Sequence, residues 1–243
     1  MKLETARIEA ERVASLKAPT HSRLLRRAFS TLAFHLYAKP CIMRTDTLML
    51  DGFRLHVPPT VFHPKLYYTS RYLGRYVAEM ALHGKKVLDV GCGSGFVSLV
   101  AASRGASVTA LDINPAAVGA TSENSALNGL DSQINTLQSD LFDRLPASEF
   151  DFIFVNPPFY DGTPRHIAES AWKGSGLFSR RFAATAQDYL SPSGVVIAVL
   201  STDTDLQAVF QIFAESGYAM ETLKSRRLLF ETLSIVRFGR SRV

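Results

Sequence analysis

The 243-residue sequence predicts an α/β fold built on a doubly wound, mostly parallel β-sheet. From about residue 57 onward, strand-like apolar runs alternate with helix-like segments, which is the pattern of βαβ units with helices on both faces of the sheet. A glycine-rich turn directly follows the first of these runs, as it does in sheets that bind a ligand at their carboxyl edge. The last two strand-like runs have no helix between them, so we expect an antiparallel pair at the end of the chain.

The individual elements follow from the spacing of apolar residues. Strands are predicted where short runs consist mainly of β-branched residues, Leu or Phe, as in KKVLDV and FDFIFV. These runs are 85–90, 107–112, 134–139, 150–155, 194–200, 218–226 and 231–239. The segments with helical character are 95–104, 115–128, 177–190 and about 204–216.

The first 56 residues differ from the rest of the chain in charge. They hold 10 Lys and Arg against 5 Asp and Glu, whereas residues 57–243 hold 17 of each, so the net charge of +5 lies in this segment. Apolar residues recur there at helix-like intervals beside a group of arginines: Leu24, Leu25, Phe29, Leu32 and Leu36, with Arg23, Arg26 and Arg27. We predict a basic helical N-terminal extension, 1–56, followed by a main domain, 57–243. We expect the extension to pack on the main domain with its arginines solvated. The alternatives are that it binds substrate or RNA, or that it forms a lid over the active site. A contact with a membrane surface and a role as a transit peptide are the remaining alternatives.

Several classes of protein are disfavoured by composition. Cys41 and Cys92 are far apart and form no CxxC pair, and the six histidines show no ligand spacing, so we expect neither a disulfide scaffold nor a metal site. No apolar run reaches the roughly 18 residues that a membrane-spanning helix needs. We therefore expect a cytoplasmic protein without a membrane partner.

The glycine-rich turn in LDVGCGSGF indicates a ligand-binding edge. Gly91, Gly93 and Gly95 form a G-x-G-x-G pattern at the start of a helix. Glycines at these positions permit a tight turn and bring backbone N–H groups and the helix N-terminus close to a ligand.

Two acidic residues follow the next two strands. Asp112 ends the second strand, where its carboxylate can bind both hydroxyls of a ribose. Asp140 follows the third strand, and its carboxylate with the Leu141 backbone can bind the edge of an adenine; an N-cap or turn role is the alternative for Asp140. Nicotinamide and adenosyl cofactors both satisfy the pattern formed by the glycines and Asp112.

The fourth strand ends abruptly in Asn-Pro-Pro-Phe, residues 156–159. The side-chain oxygen of Asn156 and the backbone carbonyl of Pro157 can each accept one N–H of an NH2 group, which aims the nitrogen and stabilises positive charge as it develops there. The two prolines hold these acceptors rigidly. Phe159 or Tyr160 can stack on a flat amide or base. The alternative is a simple strand stop in which Phe159 packs in the core.

Together, VLDVGCGSG, LDIN, SDLF and NPPF resemble in order and spacing the class I S-adenosylmethionine-dependent methyltransferases, in the amino-methyltransferase branch marked by (D/N)PP(Y/F). The resemblance covers about residues 62–238. It implies a Rossmann-like, seven-stranded, doubly wound sheet with an antiparallel last strand, S-adenosylmethionine as cofactor, and methyl transfer to a planar NH2 nitrogen.

The resemblance also implies roles for individual residues. Asp89 and the glycines would surround the methionine part of the cofactor, Asp112 the ribose, and Asp140 with Leu141 the adenine. The implied cofactor-binding residues are Asp89, Gly91, Cys92, Gly93, Gly95, Asp112, Ile113, Asp140, Leu141 and Asn156. The implied catalytic residues are Asn156, Pro157 and Phe159, and the implied substrate-binding residues are Pro158, Tyr160, Thr69, Tyr68 and Trp172.

Within this branch the chain is most similar to the HemK-type glutamine methyltransferases of release factors, in the methyltransferase small-domain family. The similar segments are 61–73, 171–176, 188–200 and 231–238. Tyr67 and Tyr68 replace the acidic pair of that group, and Phe159 replaces its usual Tyr. A protein glutamine side chain is therefore the first expectation for the acceptor. RNA adenine N6 and a small-molecule amine or amide are the alternatives, and a non-catalytic domain that binds a partner is a further one.

Overall fold

The computed structural model describes residues 44–65, 68–159, 162–163, 169, 173–229 and 231–241. The strands are β1 Asp46–Leu50, β2 Phe53–Val57, β3 Lys86–Val90, β4 Ser107–Asp112, β5 Ile134–Gln138, β6 Phe150–Val155, β7 Leu190–Ser201, β8 Tyr218–Arg227 and β9 Thr232–Arg240. The helices are α1 Tyr68–Ala78, α2 Phe96–Ser103, α3 Pro115–Leu127, α4 Ser175–Ala186 and α5 Leu206–Glu215, and a 3-10 turn at Gln187–Tyr189 follows α4.

Strands β3 to β9 form one seven-stranded sheet in the order β5-β4-β3-β6-β7-β9-β8. All neighbouring pairs from β5 to β7 are parallel, and β9, the last strand of the chain, is antiparallel to both β7 and β8. The predicted fold class, the parallel strands and the antiparallel ending are thereby confirmed. The strand order reverses between β3 and β6, which is where open α/β sheets bind their ligands.

The two faces of the sheet bury different residues because successive side chains of a strand point in opposite directions. In β7, Val196 and Ala198 pack with α4 and α5, whereas Ile197 and Val199 pack with α1 and α2. Both faces are therefore covered, which explains why the central strands are continuous apolar runs in the sequence.

Three elements before β3 were not predicted. Helix α1 lies in a stretch rich in Tyr and Arg, and strands β1 and β2 form an antiparallel hairpin before it. The hairpin lies across the predicted boundary at residue 56, and residues 46–50 and 53–56 are strands instead of the helical extension expected there. Residues 1–43 lie outside the described residues, so a helical segment there stays a prediction.

Leu55 and Val57 of the hairpin are fully buried against the same core as α1 and α2. The hairpin is thus packed on the main domain. None of the helices in the described part of the chain combines the length and apolar character needed to span a membrane.

Candidate active site

The glycine-rich loop between β3 and α2 adopts the tight turn that its sequence predicts. Gly91, Gly93 and Gly95 all have positive φ angles, of 75°, 56° and 78°. The backbone N–H groups of Gly91 and Cys92 both donate to the carbonyl of Leu111 at the end of β4, over 2.8 and 3.0 Å. A Cβ at Gly91 would meet no heavy atom within 4 Å, so this part of the loop is open to a ligand.

Asp112 connects this loop to the start of α3. Its Oδ2 accepts the backbone N–H of Gly93 over 3.0 Å, and its Oδ1 accepts that of Asn114 over 2.9 Å. Burial raises the pKa of the Asp112 carboxyl, against the lowering effect of these hydrogen bonds. Since a carboxylate oxygen has two lone pairs, each oxygen can still accept a hydroxyl of a ribose.

Asp89 is the most deeply buried acidic group of the site. Its carboxylate is 3% exposed and accepts the hydroxyl of Ser98 over 2.6 Å. Burial raises its pKa to about 6, and the neighbouring Asp112 adds to the shift. A positively charged ligand group nearby would stabilise the ionised form of this carboxylate.

Asp140 and Leu141 follow β5, as predicted. The Asp140 carboxylate is paired with Arg181 of α4, with Nη1 and Oδ2 2.8 Å apart. Leu141 has a φ of 51°, which is a strained conformation for a residue with a side chain. Such strain is concentrated at ligand-binding positions, and the adenine site expected here stays a prediction.

Asn156 stands at the carboxyl end of β6, next to β3 in the sheet. Its amide nitrogen donates to the hydroxyls of Thr69 and Ser70 in the first turn of α1, over 3.1 and 3.0 Å. Its Oδ1 is buried and has no hydrogen-bond partner among the described residues. An unpaired buried acceptor is costly, so this oxygen is available to a donor from a ligand.

These groups line one cleft of about 260 Å³ at the carboxyl edge of the sheet. The predicted residues among its lining are Asp89, Gly91, Cys92, Gly93, Asp112, Ile113, Asp140, Leu141, Asn156 and Pro158. Its apolar wall includes Phe62, Leu73 and Phe178.

Other predicted residues lie outside this lining. Gly95 packs against Thr121, and Pro157 lines a small neighbouring cavity. Thr69 is buried behind Asn156, and Tyr68 lies under the guanidinium of Arg226, 5.0 Å from the ring centre. Phe159 is half-buried. Tyr160 and Trp172 lie outside the described residues, so their roles stay predictions.

Several lining residues were missed by sequence reasoning. Ser70 belongs to the unpredicted helix α1, and Phe178 and Arg181 belong to α4. The positions of Phe178 and Arg181 differ by three, which places them on one face of a helix. That spacing, in the helix after NPPF, was the signal that could have identified them.

A family model decides to which group this fold and site belong. The model of the methyltransferase small domain matches residues 53–225, most of the chain. The chain belongs to this family. It is an S-adenosylmethionine-dependent methyltransferase, and the enzyme class and cofactor expected from the motifs are confirmed.

One relative is named for its methyl acceptor, and another is named only as a methyltransferase. A ribosomal protein uL3 glutamine methyltransferase of Bordetella pertussis is 30% identical over 202 residues, 73% of this chain and 67% of its own. Methyltransferase HEMK2 of Homo sapiens is 33% identical over 167 residues, 63% of this chain and 77% of its own.

Among solved structures, a 16S rRNA methyltransferase from T. thermophilus in complex with AdoMet and guanosine superposes with a TM-score of 0.61 and 26% identity. The superposition covers 82% of this chain and 50% of the other, so it concerns half of that protein.

The cleft fits S-adenosylmethionine on its own features. The open loop at Gly91, the free lone pairs of Asp112 and the strained Leu141 lie along one edge of the sheet, and apolar side chains form a wall for a flat ring. The buried Asp89 carboxylate suits the positively charged part of the cofactor. The chain residues that would hold it are therefore the glycine loop, Asp89, Asp112, Asp140 and Leu141.

Proposed function

We propose that this enzyme methylates the side-chain amide nitrogen of glutamine in a protein. The single observation that carries the proposal is the unpartnered Oδ1 of Asn156, a hydrogen-bond acceptor at the residue that follows β6 and lines the cofactor cleft. An acceptor at this position suits a substrate nitrogen that carries N–H donors.

An amide nitrogen is a poor nucleophile because its lone pair is delocalised into the carbonyl group. When bound, S-adenosylmethionine would supply a methyl group carried on a positively charged sulfur and leave as S-adenosylhomocysteine, and the methylated nitrogen would lose one proton to solvent after the transfer. Asn156 Oδ1 can accept one N–H of the substrate amide, and the Pro157 carbonyl is a second acceptor next to it in the chain. These contacts aim the nitrogen and stabilise the positive charge that develops on it.

The choice of a protein glutamine as acceptor is supported by the relatives. The B. pertussis relative is named for glutamine methylation of a ribosomal protein. A relative of Methanocaldococcus jannaschii, whose name includes protein N5-glutamine methyltransferase, is 28% identical over 77% of this chain and 95% of its own. The segments that resemble HemK-type enzymes point to the same substrate class.

The acceptor is tested by incubating the full-length protein with a fractionated lysate and S-adenosylmethionine tritiated in its methyl group. Protein, RNA and small-molecule pools are counted separately, and labelled peptides are sequenced by mass spectrometry. We expect label in protein, with the added methyl group on a glutamine fragment, and a labelling rate at least about 100-fold lower with Asn156→Ala. Label that enters RNA or small molecules instead would contradict the proposal.

We also propose that the basic segment before the hairpin, residues 1–43, contacts the substrate. Removing it should raise the KM for the acceptor more than the Kd for S-adenosylmethionine. Equal losses in both would contradict a role in substrate binding. The predicted cytoplasmic location is retained as part of this proposal.

A further inference from the structure

The orientation of the Asn156 amide is set by two hydroxyls of α1. One amide N–H donates to Thr69 Oγ1 over 3.1 Å and the other to Ser70 Oγ over 3.0 Å, so both hydrogens of the group are used. The oxygen is left buried and without a partner among the described residues. The contacts span 86 and 87 positions of sequence, so only the fold brings these groups together.

The hydroxyls alone do not decide which end of the amide they hold, because a hydroxyl can donate or accept. The number of polar groups left without a hydrogen-bond partner decides the orientation of the Asn156 amide. With the amide rotated by half a turn, two N–H donors would lose their partners; in the observed orientation only one oxygen does. Each unpaired buried polar group costs roughly 1–3 kcal/mol, so the observed orientation is favoured.

Helix α1 is a rigid support for these hydroxyls. Leu73 and Val77 are fully buried, and Gly74 lies so close to α2 that an added Cβ would be 2.5 Å from Cε1 of Phe96. Thr69 is itself 6% exposed. The backbone that carries the two hydroxyls therefore cannot move away from Asn156 without disturbing this packing.

We propose that Thr69 and Ser70 are positioning residues, which hold the Asn156 amide so that its oxygen is presented to the acceptor nitrogen. The sequence analysis assigned Thr69 to substrate binding. In this proposal Thr69 acts through Asn156 and does not contact the substrate. The inference rests on the proposed methyl transfer to an NH2 nitrogen, but the orientation of the amide can be measured without any acceptor.

The experiment uses the full-length protein in five forms: wild type, Thr69→Val with Ser70→Ala, Thr69→Ser, Asn156→Ala, and Asn156→Ala combined with Thr69→Val and Ser70→Ala. Thr69→Val keeps the shape of the side chain and removes the hydroxyl, and Thr69→Ser keeps the hydroxyl. Asparagine is labelled with 15N in its side-chain amide, and the Asn156 signal is assigned by its loss in Asn156→Ala. We expect the amide protons of Asn156 to exchange at least about 10-fold faster in the double variant and at the wild-type rate in Thr69→Ser.

Activity provides the second measurement. The double variant should lower kcat about 10- to 100-fold with an unchanged Kd for S-adenosylmethionine, and it should cause no further loss when added to Asn156→Ala. Two results would overturn the positioning role. The first is an unchanged rate of proton exchange in the double variant. The second is a loss of kcat in the Asn156→Ala background as large as the loss that the double variant causes in the wild type. If the wild type labels no protein glutamine, the proposed function fails, and the exchange rates still decide the orientation.

Discussion

The side-chain amide of Asn124 is hydrogen-bonded to both backbone polar groups of His56. Its Oδ1 accepts the His56 N–H over 2.7 Å, and its Nδ2 donates to the His56 carbonyl over 2.9 Å. The same Nδ2 donates to the carbonyl of Ser94 in the glycine loop, also over 2.9 Å. Asn128, directly after the end of α3, makes the same paired contacts with Arg54. The hairpin is thus attached by its backbone to α3, and through Asn124 to the loop that lines the cleft.

Replacing Asn124 with Ala should strongly destabilise the fold. Asn124 is 0% exposed, and its loss leaves three backbone groups of the hairpin and loop without partners. We expect the free energy of unfolding to fall by about 3–5 kcal/mol, measured by urea denaturation. Asn128→Ala is the matched control, because water can replace its contacts with the exposed Arg54, and it should cost less than about 1 kcal/mol. Equal effects would contradict the difference in burial.

Asp89 should make stability depend on pH. Its folded pKa of about 6 lies above the ordinary value of 3.8, so the folded state holds its proton more tightly than the unfolded state. Stability from this group is present below about pH 4 and is lost as pH rises to about 6. The shift corresponds to about 3 kcal/mol.

Asp89→Asn removes this dependence while it keeps an oxygen for the Ser98 hydroxyl. The stability of the variant relative to that of the wild type should therefore rise by up to about 3 kcal/mol between pH 4 and pH 7. Urea denaturation at several pH values measures the gap. A gap that does not change with pH would contradict the raised pKa.

Gly95 should tolerate substitution less well than Gly91. A Cβ at Gly95 would lie 2.9 Å from Cγ2 of Thr121, at a φ of 78° that already disfavours a side chain. Gly95→Ala should therefore lower stability by about 2–4 kcal/mol, and adding Thr121→Ser, which removes that methyl group, should restore part of it. Gly91→Ala meets open space at a similar φ and should cost only about 1–2 kcal/mol. Thermal unfolding of the four proteins decides the order.

The sequence identified best what depends on local pattern. Strands β4 and β6 were predicted to the residue, because buried parallel strands are unbroken apolar runs. Helix α1 was missed because its buried face, with Leu73 and Val77, is short and lies among Tyr and Arg. The hairpin was overlooked although its signal is local: Asp51-Gly52 lies between apolar residues, and both residues have the positive φ of a tight two-residue turn.

The same distinction applies to the site. The ends of the strands revealed Asp112, Asp140 and Asn156, because parallel strands share one carboxyl edge. The spacing of Phe178 and Arg181 could have indicated the face of α4 that lines the cleft, but the specific hydrogen-bonded pairs could not be predicted. Arg181 reaches Asp140 across 41 positions, and Thr69 reaches Asn156 across 87, and such pairs are set by helix packing alone.

Asp140 should contribute to cofactor affinity through its position in the cleft. Asp140 lines the cleft next to Leu141. Asp143 pairs with the same Arg181, with Nη2 and Oδ2 3.3 Å apart. Among the described residues that line the cleft, Asp143 is absent. Asp140→Ala should raise the Kd for S-adenosylmethionine about 10-fold by removing a charged hydrogen-bond acceptor. Asp143→Ala should change the Kd less than about 2-fold. Isothermal titration calorimetry measures both, and similar Kd values for the two variants would exclude adenine binding by Asp140.

Asn156→Ala should separate chemistry from cofactor binding. The substitution removes the unpartnered Oδ1 and leaves the glycine loop, Asp112 and Asp140 in place. Losing an oriented contact to developing charge costs about 100-fold or more in rate, so we expect kcat to fall by at least that factor with a nearly unchanged Kd for S-adenosylmethionine. Single-turnover methyl transfer and calorimetry on the same preparation measure the two quantities. Phe159→Tyr is the control, because it changes the same motif and leaves the Asn156 acceptor intact; it should retain turnover within about 10-fold of the wild type. An Asn156→Ala enzyme with wild-type turnover would refute the assigned role of the oxygen.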